Sequence, residues 1–187
     1  KQAAAYIGSG DYSYVYGAQL EEGSYATSYI PTSGSTVTRN QDIFTRDGIG
    51  SLINSTEGVL FLEMAALSDD LSTREISLSD GTTTDRIEIR YSSVSNRIQG
   101  LVRVGSVIVS NLSFVVSDIT DFSKIAFKWK VNDFALWIDG VEVGTDTSGS
   151  VPSGLNRLAL DKGSGSDIFF GKVKQLQVYD TALTDEQ

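Results

Sequence analysis

Residues 124–144, KIAFKWKVNDFALWIDGVEVG, decide how the rest of the chain is read. In the first half Ile125, Phe127, Trp129 and Val131 alternate with Ala126, Lys128 and Lys130. In the second, Phe134, Leu136 and Ile138 alternate with Ala135, Trp137 and Asp139. A period of two sends successive side chains to opposite faces of a strand, so one face is buried and the other open. Asn132-Asp133 tolerates left-handed backbone and predicts a hairpin turn there, although the usual glycine is missing. A two-residue turn at that point sets Trp129 opposite Leu136 and Phe127 opposite Ile138 on the apolar face. It sets Lys128 opposite Trp137 on the open face. A large aromatic beside a cation outside the core is the first candidate for function.

The same alternation recurs on both sides of this hairpin. Residues 58–67 (GVLFLEMAAL) are apolar on both faces, as a central strand would be. Residues 74–78 turn Ile76 and Leu78 inward, and Asp80-Gly81 reverses the chain. Residues 85–91 and 97–104 alternate Ile87, Ile89, Tyr91, Ile98, Val102 and Val104 against Arg86, Glu88, Arg90, Arg97, Gln99 and Arg103. Short strands at 106–109 and 113–116 precede the hairpin, and 155–160 and 168–179 follow it. No window holds a helical period. Eighteen glycines against two prolines fit many short strands joined by tight turns. Strands spaced about 8–12 residues apart predict an all-β, two-sheet antiparallel β-sandwich.

Residues 1–40 differ in composition. Six of the eight tyrosines lie within residues 1–29, and every Phe lies after residue 43. Tyr12, Tyr14 and Tyr16 alternate along one strand, followed by a Ser/Thr/Gly run containing Pro31. We read 1–40 as a residual strand and linker from an upstream module, and 41–187 as the sandwich. The tyrosine stripe reads either as a sugar platform or as a strand packed on that upstream module. The opening KQAAAY carries neither an initiator Met nor a signal-like apolar core, which implies covalently linked neighbouring domains.

Composition removes several functions. The chain has no His, so His triads, His bases and His metal sites are excluded. It has no Cys, so no disulfide framework exists. A net charge of −9 argues against a nucleic-acid partner. No run approaches the ~18 apolar residues of a membrane span.

If 85–91, 97–104, 124–131 and 134–139 form one meander, their polar residues share a surface. That surface holds Arg86, Arg90, Arg97, Arg103, Lys128 and Lys130, with Gln99, Glu88 and Trp137. Forked guanidiniums match carboxylate or sulfate, and an aromatic face stacks on a sugar ring, so the cluster suits an anionic polysaccharide. The alternative is a solvated sheet face whose arginines pair with Glu88 and loop Asp residues, contributing under about 1 kcal/mol each.

FALWIDGVEVG resembles the Asp-Gly hairpin of laminin-G-like, concanavalin A-like domains. FFGKVKQLQVYDTALTDEQ resembles their closing strand, with Gly171, Val173, Leu176, Val178, Tyr179, Asp180, Ala182 and Leu183 in place. The resemblance covers about residues 44–185. YVYGAQLEEGSYATSYIPT resembles the joint after a carbohydrate-binding sandwich in phage tail and marine bacterial polysaccharide-degrading proteins. These resemblances imply a jelly roll with a sugar site, and one structural Ca²⁺. Loop oxygens for such an ion would come from Asp42, Asp47, Asp69, Asp70, Asp161, Asp167, or Asp118 with Asp121, each of which also reads as a turn or cap residue.

A glycosidase on this fold needs two carboxylates about 5 Å apart. The Glu-x-Asp-x-x-Glu strand of related glucanases is missing. A polysaccharide lyase would draw Arg90, Arg103, Gln99 and Lys128 to a uronate, but Tyr91 points to the apolar face. The sequence therefore predicts a non-catalytic carbohydrate-binding module for a polysaccharide or cell-surface glycan. It would lie outside the cell, in a secreted or virion-tail protein. The alternatives are a lyase or glycoside hydrolase, and a phage tail receptor-binding or structural domain.

Overall fold

The computed structural model describes residues 18–21, 28–38 and 43–184. The chain divides into two compact units, Lys1–Gln41 and Asp42–Gln187. In the first, the Ile30 amide donates to Gln19 Oε1 at 2.8 Å. The tyrosine stripe at Tyr12, Tyr14 and Tyr16 lies outside the described residues.

The second unit is a sandwich of two antiparallel sheets. Its strands are β1 (Thr45–Arg46), β2 (Glu57–Ala66), β3 (Arg74–Ser79), β4 (Arg86–Tyr91), β5 (Arg97–Val104) and β6 (Val107–Val115). They continue as β7 (Ser123–Lys130), β8 (Phe134–Ile138), β9 (Val141–Asp146), β10 (Arg157–Ala159) and β11 (Gly171–Tyr179). One sheet has six strands in the order β1-β10-β3-β4-β5-β6, the other five in the order β11-β2-β7-β8-β9. The only helical element among the described residues is the 3-10 turn Gly50–Leu52. The expected two-sheet, all-β architecture is what the chain adopts.

Three details differ from the sequence reading. The supposed meander is divided, with β4 and β5 in the six-stranded sheet and β7 and β8 in the five-stranded one. Chain proximity favours pairing of neighbours, but the segment after β6 crosses to the opposite sheet, where β7 fills the place between β2 and β8. The β7–β8 hairpin turns at Val131-Asn132, not at Asn132-Asp133. Phe127 therefore faces Leu136, Ala126 faces Trp137, and Lys128 faces Ala135. Asn132 alone takes the left-handed conformation, φ 56°, which releases Asp133. The slip is by two residues, so each side chain keeps its face. Residues 106–109 and 113–116 belong to one strand, β6, bulged against β5 beside Arg103.

The core lies between the sheets, and its tightest contact joins them. A Cβ built on Gly100 of β5 would fall 2.5 Å from the Phe127 ring of β7. Phe127 is fully buried, and only hydrogen on the facing residue lets its ring sit there. Trp129 is packed the same way over Gly58, where a Cβ would fall 2.4 Å from the indole. Its Nε1 donates to the Asn54 carbonyl at 3.2 Å, which satisfies the one polar atom the ring brings inside. Tyr91 and Phe169 stack with centroids 6.1 Å apart. The next turn, Asp139-Gly140, has both residues at positive φ, 52° and 81°, as a two-residue hairpin turn of this kind requires. The Asp139 side chain also accepts from the Lys124 amide at 2.8 Å.

Gly100→Ala is expected to lower stability by about 1–3 kcal/mol, because the ring must shift. Gly144→Ala, whose Cβ would meet Leu112 at an ordinary 3.7 Å, should stay within about 0.5 kcal/mol. Urea denaturation of both variants checks the contrast.

Candidate functional site

Alternation along β3, β4 and β5 sends Ile76, Leu78, Ile87, Ile89, Ile98 and Val102 into the core. The intervening residues form the other face of the six-stranded sheet, and the register aligns them in rows. One row runs Arg157, Ser79, Arg86, Arg103. The next runs Ala159, Ser77, Glu88, Leu101, Asn111. The third runs Glu75, Arg90, Gln99, Ser113.

Glu88 is the hub of this face. Arg86 Nε donates to its Oε2. Arg90 Nη1 lies 3.5 Å from its Oε1 and Arg103 Nε 3.9 Å from the same atom. Arg90 also donates to Glu75 Oε1 and to Gln99 Oε1, each at 3.1 Å. Gln99 Nε2 passes the chain on to Asn111 Oδ1 at 3.1 Å. Glu75, Glu88 and Arg86 are buried, whereas Arg90 and Arg103 keep 18 % and 20 % of their side-chain surface exposed. Asn111 and Ser113 at the β6 side are exposed.

Three guanidiniums against two carboxylates leave one surplus positive charge here. Burial, and then the nearby Glu88 charge, push the Glu75 carboxyl from 4.5 up to about 7, against the pull of Arg90. Near neutral pH Glu75 is therefore only partly ionised and the surplus is larger. The face can attract an anion and offer it forked donors at Arg90 and Arg103. Arg86, Arg90, Arg103 and Gln99 are brought together as the sequence suggested. Glu75 and Asn111 were not foreseen; their place at alternate, outward positions was readable, but their partners depend on strand order.

Trp137, Lys128 and Lys130 are not part of this face. They stand on the outer side of the other sheet, separated from the arginines by the core. Lys130 pairs with Glu57 at 3.2 Å. Lys128 pairs with the released Asp133 at 2.9 Å, and its Nζ sits 5.4 Å from the Trp137 ring centroid. This cation–π contact is the aromatic–cation neighbourhood anticipated from sequence, reached diagonally across the hairpin. Beside Trp137 runs a groove of about 490 Å3 whose walls include Phe61, Ala126, Gln175, Gln177 and Tyr179.

The acids considered for calcium pair off separately. Asp47 binds Arg157, Asp70 binds Arg74, Asp167 binds Lys162, and Asp69 accepts from Ser95 and the Asn96 amide. Asp118 and Asp161 close turns at Thr120 and Gly163. Asp42 lies outside the described residues. Among the described residues no three such side chains converge.

No protein-family model matches the sequence, and no curated protein sequence does either. Solved structures do match in fold. The CBM40 of Ruminococcus gnavus IT-sialidase, bound to α2,3-sialyllactose, superposes with a TM-score of 0.60 over 73 % of this chain and 82 % of that one, at 16 % identity. The fold is a two-sheet antiparallel jelly roll. NanB sialidase of Streptococcus pneumoniae matches with a TM-score of 0.60 at 16 % identity over 76 % of this chain, which spans 25 % of the sialidase chain. Sheep galectin-11 matches at 6 % identity with a TM-score of 0.50, over 75 % of this chain and 99 % of that one.

The Glu75 shift has a stability consequence of definite sign. Between pH 4.5 and about 7 the folded state holds a proton that the unfolded chain has released, so stability falls as pH rises through that window. At about 1.4 kcal/mol per pKa unit the effect amounts to ~3 kcal/mol. Glu75→Gln should flatten this part of the slope, and thermal melts of both proteins at pH 5 and pH 8 test it.

Proposed function

We propose that this chain is a non-catalytic carbohydrate-binding module that takes the acidic sugar of a glycan or polysaccharide on the outer face of its six-stranded sheet. One observation carries the reading: Arg86, Arg90 and Arg103 converge on Glu88 with a surplus of positive charge, in a chain whose net charge is −9. Glu75 and Gln99 hold the partly exposed Arg90 guanidinium, so it is pre-set for a carboxylate or sulfate and loses little side-chain freedom on binding, with Arg103 beside it 3.9 Å from Glu88. The exposed Asn111 and Ser113 extend the face with groups that donate or accept, as sugar hydroxyls require, and buried Gln99 links Asn111 to Arg90. Likeness of fold to a module bound to sialyllactose, itself an acidic glycan, is consistent with this choice of ligand.

Binding without turnover fits the chemistry of the face. Its two carboxylates, Glu75 and Glu88, are fully buried and clamped by arginine, so neither can protonate a glycosidic oxygen or attack a sugar. A lyase needs a proton-transfer group beside the uronate. Tyr91 is turned into the core, and burial raises its phenol pKa far from the working range. Like the portion of NanB sialidase it resembles, the chain fits a module tethered in a larger secreted or tail protein, where effective concentration offsets weak single-site affinity.

Isothermal titration with 3′-sialyllactose and with oligogalacturonate should show saturable binding that weakens as salt is raised. Arg103→Gln should weaken it at least tenfold, since hydrogen bonds to charged groups contribute about 1.5–3 kcal/mol. Affinity should fall from pH 6 to pH 8 as Glu75 ionises, and Glu75→Gln should remove most of that fall. Equal affinity for Arg103→Gln and the parent protein would place the ligand elsewhere.

A further inference from the structure

The groove on the five-stranded sheet has a chemistry different from that of the arginine face. Strand pairing sets Gln177 beside Phe61, Phe61 beside Ala126, and Ala126 beside Trp137. The small Ala126 thus separates two aromatic side chains at the level of the sheet, and the gap between them is the floor of the groove. Tyr179 follows Gln177 at the next outward position of β11, and its hydroxyl donates to Gln177 Oε1. This holds the Gln177 amide against the ring and leaves its NH2 as a donor. Gln175, two residues earlier, presents a second amide to the same space. Among the described lining residues Lys124 is the one that carries a charge.

From this geometry we infer a second binding site, for an uncharged pyranose of an oligosaccharide. The aromatic faces carry negative quadrupole density that attracts the C–H groups of a sugar ring. The glutamine amides both donate and accept, as hydroxyls do. At about 490 Å3 the groove is within the ~300–1,000 Å3 of small-molecule sites. The absence of arginine among the described lining residues separates its ligand from the one expected on the arginine face. Two sites on opposite sheets make the module bivalent, able to hold a branched glycan or bridge two chains. The site stands independently of the proposal for the arginines.

The chain has two tryptophans, and Trp129 is fully buried in the core, so a sugar-induced change in emission reports on Trp137. Lactose, cellotetraose and maltotetraose are the probes. At least one of them is expected to produce a saturable change and to protect Trp137 from acrylamide. Ala126→Leu, which fills the gap, should weaken that response at least tenfold while leaving oligogalacturonate titration unaltered. Trp137→Ala should abolish tetrasaccharide binding measured by calorimetry. Arg103→Gln should leave the emission response intact, which separates failure of one site from failure of the other. The inference is overturned if none of the three sugars gives a saturable response, or if the response survives Ala126→Leu. It is equally overturned if octaproline, which also suits aromatic grooves, saturates the site and the sugars do not.

Discussion

The contact of Phe127 with Gly100 sets the distance between the two sheets, and much of the molecule depends on it. Face-to-face sheets stand about 10 Å apart, a gap that side chains from both sides must fill without overlap. A large ring from β7 meets a residue with no side chain on β5, so bulk on one sheet is matched by its absence on the other. Trp129 over Gly58 repeats the arrangement beside it, within one sheet. Burial of these rings releases several kcal/mol each, and the glycines allow it without strain. With the sheets locked at this spacing, the outward residues of each strand are held as firmly as the inward ones.

That rigidity has different uses on the two outer surfaces. On the six-stranded sheet it supports a charged network whose members would repel or dangle if the strands could slide. Buried carboxylates are costly, and here Glu88 is tolerated because arginines from β4 and β5 surround it. Its neighbour Glu75 answers part of the same cost by holding its proton to higher pH. On the five-stranded sheet Phe61, Trp137, Tyr179, Gln175 and Gln177 stand among paired charges, and the small Ala126 leaves a groove between the aromatic residues. A scaffold of this kind places binding groups with little motion on association, which suits weak, reversible recognition of sugars.

The fold was largely legible from alternation. Phe127, Trp129, Leu136 and Ile138 were assigned to the core by period alone, and all are buried. The Asp139-Gly140 turn was legible through the family hairpin that FALWIDGVEVG resembles, and both its residues take the positive φ such a turn requires. The identity of the turn before it was not, since Val131-Asn132 and Asn132-Asp133 differ only in which residue takes the left-handed conformation. Arg86, Arg90, Arg103 and Gln99 could be grouped because β4 and β5 are neighbours both in sequence and in space. Trp137 and Lys128 were grouped with them only through the assumption that chain order continues across β6.

What the sequence by itself determined is therefore the face of each side chain: period-two alternation assigns inward and outward positions without reference to any partner. Tertiary structure decided which outward faces meet. Strand order is a long-range property, set by which sheet offers β7 the better buried surface, and no local pattern records it. By crossing to pair with β2, β7 placed its lysines and the Trp137 groove on one side of the core, and left the arginines around Glu88 on the other.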